Sequence, residues 1–419
     1  MRCWEAQKNP MNTVTIDTFA VSEGQPLFTL PLLPANVSVR RCHVPREKAS
    51  RRILIVKLAA YGDVLMATPL VKALREAHPD AYITWMVERN YLQAIDANPD
   101  IDEVIVWESD YWRDLLPARW KKWLDIPKRW LGMRWVVQAL KFRRQLRQRK
   151  FDVLISMHPE KWRLLLPGTG AATSIGVFES GRGLERAYTF SHPIDSLPIH
   201  RTDKYLTALE SLGESPSVDK RMTLGYTADD VNFVRDYLAE RGVHPDDRLV
   251  VIAPLTTWSS KCWPLDRYEN LARLLTSESG CKVVWIGSSE ERPAITKVAG
   301  RVRSSLAAAG DLAFRQMAAL IAQSCVVISS DSAPMHAAAA VGTSYVGLFG
   351  ATTPERYAPL SGDGVILSHK VPCGPCERMV CTNPAATQML CMGLISAEEA
   401  YRAAMKFVGK ARPYEIGHS

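Results

Sequence analysis

Four short turns, each following an apolar run, hold the polar side chains best suited to chemistry. In "VKLAAYGDVLMATP" Asp63 follows a glycine, and in "APLTTWSSKCWP" stand Thr256, Thr257 and Lys261. "IGSSEE" offers Ser288, Ser289 and Glu291, and "SSDSAPMHAAAAVG" offers Asp331, Ser332 and His336. A carboxylate such as Asp63, facing a ligand across a cleft, can take a proton from an incoming hydroxyl, and desolvation on closure raises its basicity. Lys261 beside two threonines gives a point charge and two hydroxyls suited to a diphosphate. An acid beyond a strand, such as Glu291, can accept hydrogen bonds from a ribose. Asp331 and Ser332 precede an Ala-rich helix, whose free amides and partial positive charge can receive a phosphate. Each also has a plainer reading: Asp63, Asp331 or Ser332 as a helix cap, Lys261 as a surface cation, Glu291 as a solvated acid at a helix start. Position decides between them.

A further cluster, "CGPCERMVCTNPAATQMLC", carries Cys373, Cys376, Cys381 and Cys391. A C-x2-C step followed by two more thiols suits a tetrahedral knuckle for iron or zinc; four reduced thiols in a loop is the alternative. No metal triad accompanies Asp63, since "DID" at 100–102 reads as loop. No G-x-G-x-x-G follows the first strand and no G-x-x-x-x-G-K-[ST] occurs, so dinucleotide and P-loop readings lose their main support.

The elements that must position these residues alternate. "RILIVKLA" is a continuous apolar run, as in a parallel strand buried on both faces, and Val64 to Ala77 follows with helical spacing. "AYITWMVE", "EVIVWE" and "FDVLISM" predict further strands. The pattern restarts after residue 247: strands "RLVVIAPL", "CKVVWIG", "CVVISS" and "SYVGLFG", with helices over 266–279, 314–323 and 334–341, and a last helix over 397–408. Strand–helix alternation implies parallel doubly wound sheets. The expected division is an extension over 1–50 of β character, a lobe over 51–215, a link over 216–247, and a second lobe over 248–419. Ligands in such folds bind beyond the carboxyl ends of strands, where the four polar turns lie.

Composition narrows the class. The 419 residues are 47% hydrophobic and 23% charged, ordinary for a globular chain. No run reaches the roughly 18–20 apolar residues that span a bilayer, and the first residues lack a signal-peptide core. Nine cysteines in a chain this long suit reduced cytosolic thiols better than a disulfide framework. The net charge of +8 is concentrated: thirteen Lys/Arg against two acids between Arg113 and Lys150 give +11, leaving −3 elsewhere. A nucleic-acid binder would spread its basic surface over a recognisable module, so that partner is not expected. The segment 111–150 also holds five tryptophans, and reads either as a solvated helix or as an interfacial segment for anionic lipid.

Taken in order, "ILIVKLAAYGDVLMATP", "TTWSSKCWPLDRYENLARLL", "VVWIGSSEE" and "SSDSAPMHAAAAVGTSYVGLFGATTPERYAP" resemble glycosyltransferase family 9, the ADP-heptose heptosyltransferases of lipopolysaccharide cores. The likeness runs from Arg52 to the C-terminus. It implies two Rossmann-like lobes facing a cleft (a GT-B fold), the donor held by the second, and metal-independent inverting transfer. By that resemblance Asp63 is the general base. Thr256, Thr257 and Lys261 face the diphosphate, Glu291 the adenosine ribose and Asp331 the donor sugar, with Ser332 and His336 completing the pocket. The cysteine cluster is similar to one with which protein-modifying relatives hold iron. Ala333 stands where the family usually has glycine, and "SMHPEKW" replaces its common D-x-Q-G.

The function expected is heptose transfer from ADP-heptose to a lipopolysaccharide core or related hydroxyl, with no cofactor needed for catalysis. Two alternatives stand beside it: the same donor with a protein acceptor, and a non-catalytic nucleotide-sugar-binding protein. The second is disfavoured because a mere binder needs no base in the opposite lobe. The expected location is cytoplasmic, with peripheral attachment to the inner membrane through the basic insert.

Overall fold

The structure, a computed structural model, describes residues 39–41, 50–108, 128–157, 169–178, 188–193, 199–215 and 218–409, the side chains of 39–41, 128–136 and 193 excepted. Residues 1–38 and the first part of the insert, 111–127, are thus outside the described residues, and so is the greater part of the β reading for 1–50.

Two sheets form the frame. The first contains β1 (Val39–Arg41), β2 (Arg52–Val56), β3 (Tyr82–Glu88), β4 (Glu103–Trp107), β5 (Val153–Ser156), β6 (Thr173–Phe178) and β7 (Phe190–Pro193), in the order β1-β4-β3-β2-β5-β6-β7. β1 runs antiparallel to β4, and the other pairings are parallel. The second contains β8 (Leu249–Ala253), β9 (Lys282–Trp285), β10 (Ser305–Ala307), β11 (Val326–Ser330), β12 (Ser344–Phe349) and β13 (Gly364–Ser368), all parallel, in the order β10-β9-β8-β11-β12-β13. β4, β5, β8 and β11 bury every residue, which is why apolar residues follow one another in them instead of alternating with polar ones. The two-lobed GT-B architecture expected from the sequence is the one observed.

The helix expected over 64–77 differs. Two helices occupy the stretch, α1 (Tyr61–Met66) and α2 (Thr68–Ala77), with Pro69 in the first turn of the second. Proline lacks the N–H that would continue a helix but fits a first turn, so the chain restarts there. Asp63 therefore lies inside a first helical turn rather than ahead of one. Asp102 of "DID" is in a loop, as expected, and its carboxylate accepts from Arg75 Nη2 and the Ile83 amide, both at 2.7 Å. Helix α3 (Lys128–Gln148) buries Ala139, Phe142 and Leu146 on the first sheet and turns Lys141, Arg144 and Arg147 outward.

The lobes meet through α1. Tyr61 stacks on Phe314 of the second lobe, with ring centroids 3.8 Å apart, and meets Tyr91 edge-on at 4.9 Å. Beside them Arg315 Nη1 contacts Asp96 at 2.9 Å, and its Nε lies 3.2 Å from Asp230. His200 Nε2 donates to the Ala358 carbonyl at 2.7 Å.

Candidate active site

With β1 set aside, both sheets share one winding. The strand order turns back between β2 and β5, and again between β8 and β11. Crevices open beyond the carboxyl ends of the strands at such switch points. Asp63 follows β2, Thr256 to Lys261 follow β8, and Asp331 to His336 follow β11. The two crevices face each other.

Asp63 is no cap: the N-cap of α1 is Ala60, with no side-chain cap bond. Its carboxylate lies 3.5 Å from Lys57 Nζ and 3.5 Å from Arg201 Nε, and the Tyr205 hydroxyl donates to it at 3.3 Å. Lys57 is buried at the end of the first central strand. Burial, then the charge of Asp63, pushes the Tyr205 hydroxyl well above its usual pKa, so it remains a donor. About a third of the Asp63 side chain stays open to the cleft, as a base needs. Gly62 explains itself here, since a Cβ at that position would lie only 3.0 Å from His336 Cδ2 of the opposite lobe.

Across the cleft, Asp331 is buried and accepts hydrogen bonds from Lys261 Nζ and Thr352 Oγ1, each at 2.8 Å. His336 Nε2 lies 3.8 Å from its other oxygen. Burial alone would raise the Asp331 pKa, but the neighbouring His336 side chain and the Lys261 charge outweigh it and bring it down to about 2. Ser332 is the N-cap of helix α9 (Ala333–Val341), yet its hydroxyl pairs with Ser329 Oγ at 2.7 Å rather than with the helix. The cap reading thus fails for both residues as a side-chain interaction.

The two acids are joined by a run of cations and one ring. Arg201, beside Asp63, lies 5.5 Å over the Tyr357 ring; Lys261, beside Asp331, lies 6.0 Å over the same ring and 4.4 Å over Trp258. Arg356 flanks Tyr357 at 5.4 Å. Thr256 is half-buried and Thr257 exposed on the same turn as Lys261. Glu291 closes the neighbouring turn, its Oε2 accepting from the Ser288 amide at 2.8 Å, and its charge raises the pKa of the Cys262 thiol, after burial. Asp63, Lys261, Asp331 and His336 are therefore brought together, with Glu291 one strand further along. A carboxylate facing lysine and arginine across a cleft suits displacement of an anionic leaving group by a hydroxyl.

The sequence profile of glycosyltransferase family 9 (heptosyltransferase) matches residues 139–387. The chain belongs to glycosyltransferase family 9. It is a glycosyltransferase. Among curated relatives, the lipopolysaccharide core heptosyltransferase OpsX of Haemophilus influenzae is 24% identical over 328 residues, 76% of this chain and 85% of that protein. Among solved structures, a family 9 glycosyl transferase of Veillonella parvula superposes with a TM-score of 0.70 at 21% identity, covering 86% of this chain and 98% of that one. The Escherichia coli heptosyltransferase WaaC, solved with ADP-2-deoxy-2-fluoro heptose, gives 0.60 at 19%, covering 85% and 99%. These structures establish the family's fold.

The four cysteines line one cavity of about 330 Å³, away from Asp63 but against Ser260. Burial, with the other three thiols adding to it, raises Cys391, whereas backbone amides lower Cys381. Soft thiolates are the donor set for iron or zinc. Among the described residues, however, no three such side chains converge as a bound ion requires, so the arrangement does not itself form a coordination set.

Lys57, Arg201, Tyr205, Thr352 and Tyr357 escaped the reading of the sequence. Lys57 left a signal, a charge inside the buried run "ILIVKLA", where burial is costly unless the charge is paired. Thr352 and Tyr357 stand at the end of the quoted stretch "GTSYVGLFGATTPERYAP", where nothing in their type marks them, and Arg201 and Tyr205 lie in a segment with no marked pattern, far along the chain from Asp63.

Proposed function

We propose that this family 9 enzyme transfers a heptose from ADP-heptose to a hydroxyl of a lipopolysaccharide core, with inversion and without a catalytic metal. What carries the reading is Asp63 of one lobe, open to the cleft, facing the Lys261–Asp331–His336 group of the other. The OpsX relative is a lipopolysaccharide core enzyme, and WaaC was solved with an ADP-heptose analogue, which supports both substrates. Asp63 takes the proton of the acceptor hydroxyl as its oxygen attacks the anomeric carbon from the face opposite the diphosphate. The C–O bond to ADP breaks with its electron pair. Lys261, Thr256, Thr257 and the free amides at the start of α9 take up the negative charge, Glu291 holds the ribose, and Asp331 and Ser332 hold the sugar, with His336 behind. The test is incubation with ADP-heptose and a core acceptor, read by mass and by the anomeric configuration of the product. Turnover that persists in EDTA supports the metal-free step; no transfer, or retention, overturns the reading.

A protein acceptor is the second reading, favoured by the cysteine loop and by the extension over 1–50. Glycosylation of a polypeptide in place of the core oligosaccharide would establish it. In either case we propose attachment to the cytoplasmic face of the inner membrane through the insert 111–150. Support comes from the outward Lys141, Arg144 and Arg147 of α3 beside exposed Val137 and Leu140, and no described helix is long and apolar enough to cross a membrane. Co-sedimentation with anionic vesicles that fails as salt shortens the Debye length supports attachment. One iron or zinc drawing Cys373, Cys376, Cys381 and Cys391 together as it binds belongs to the same proposal. Elemental analysis finding about one equivalent, lost in Cys376→Ser, would support it.

A further inference from the structure

The residues between Cys376 and Cys381 touch the site at two places, the Lys261 turn and the segment that carries Ala351 and Arg356. Ser260, buried beside Lys261, donates its hydroxyl to the Arg378 carbonyl and its amide to the Met379 carbonyl at 3.2 Å, while Ser259 Oγ donates to the same Met379 oxygen at 3.3 Å. Glu377 is the second contact. Both its carboxylate oxygens accept from Arg356 Nη1, at 2.6 and 2.8 Å, and its amide donates to the Ala351 carbonyl at 2.8 Å. Its φ of 49° lies in the left-handed region that non-glycine residues seldom adopt. Arg356 in turn flanks Tyr357, the ring shared by Lys261 and Arg201.

We propose that Glu377 and Ser260 are positioning residues for the donor diphosphate: the segment 376–381 braces the Lys261 turn directly and, through Arg356, fixes the Tyr357 ring against which Lys261 lies. Neither touches the reacting atoms. Glu377 acts in two ways. It pins the guanidinium so that Tyr357 keeps its angle, and it balances a cation that would otherwise compete with Lys261 for the same ring and the same anion. Ser260 acts through the backbone, because Lys261 is the next residue and its reach to Asp331 depends on where that turn sits. The bracing needs only the contacts named and does not depend on a metal among the thiols.

The inference rests on the donor reading above, and the test separates the two. Calorimetry with ADP on the full chain reads the diphosphate site without requiring an acceptor. If the wild type does not bind ADP, the donor reading itself fails. Given binding, Glu377→Ala and Arg356→Ala should each weaken ADP about fivefold, and the double variant by about the same fivefold rather than their product, as residues acting through one contact do. Glu377→Asp should recover part of the loss. Ser260→Ala should weaken ADP by a similar factor, and kcat at saturating donor should change less than KM in every variant. Melting temperatures identify a variant that has merely lost its fold, and Glu377→Gln, which keeps shape without charge, then serves in place of Glu377→Ala. Unchanged or tighter ADP binding in the Glu377 variants, or multiplicative losses in the double variant, would overturn the proposal.

Discussion

Asp63 and Asp331 are both acids at switch points, and their surroundings give them opposite work. Asp63 keeps an open edge on the cleft beside two cations and a phenol, whereas Asp331 is enclosed by Lys261, Thr352 and His336. Asp63→Asn is expected to lower transfer by about 10²–10⁴ while ADP binding stays within a few fold, because the general base proposed for it would act on the acceptor. Near wild-type turnover would remove it from the mechanism. Lys261→Ala should weaken ADP binding if its charge takes the diphosphate as proposed. Asp331→Ala should not, since it frees Lys261; instead it should lower stability, by about 1–3 kcal/mol, for leaving a partly buried cation without its carboxylate. Calorimetry and melting on the two variants separate these outcomes, and equal loss of ADP affinity in both would assign the pair a purely structural role. The same pair sets an acid limit. With a pKa near 2 in the fold against 3.8 when unperturbed, Asp331 contributes stability that is complete above 3.8 and lost as pH falls through 2. Residue types and strand-end positions made all four polar turns legible in the sequence. The Lys261–Asp331 pairing was not, because it joins side chains seventy positions apart.

Long apolar runs were the legible elements: β2 to β5, β8, β9, β11 and β12 are buried on both faces and cannot alternate. Less legible were β6, which opens "TSIG", β10, with three half-buried residues, and β13, which is partly exposed along its length. Their apolar signal is too short or too mixed to separate strand from loop. The break at Pro69 was readable in principle, but the helical spacing of Leu65, Leu70 and Leu74 runs through it. What no periodicity shows is that α1 packs on α9 across the cleft, with Gly62 against His336. That contact makes a prediction about the two helices. Gly62→Ala should cost about 1–3 kcal/mol by overpacking, or force His336 away from Asp331. Urea denaturation would read the first and loss of donor affinity the second. A variant indistinguishable from wild type in both would mean that the lobes stand further apart than this geometry has them.

At the scale of the molecule, the restart of strand–helix alternation after residue 247 announces two lobes, but nothing local says how one sits on the other. Their seating depends on Tyr61, Asp96, Asp230, Phe314 and Arg315, residues scattered through the chain and ordinary in type. Tyr61 offers a way to measure that seating. Burial, with smaller contributions from Tyr91 and Asp96, raises its hydroxyl from 10 to about 12, so the folded protein holds this proton more tightly than the unfolded chain. The stability so contributed is complete below pH 10 and is lost as pH rises through 12. Tyr61→Phe keeps the ring on Phe314 and removes the titration. Urea midpoints at about pH 8 and about pH 11 should therefore fall less in the variant than in the wild type. Other raised tyrosines are common to both proteins and cancel in the comparison. Parallel falls would mean that water reaches the Tyr61 hydroxyl and that the two lobes part readily at this contact.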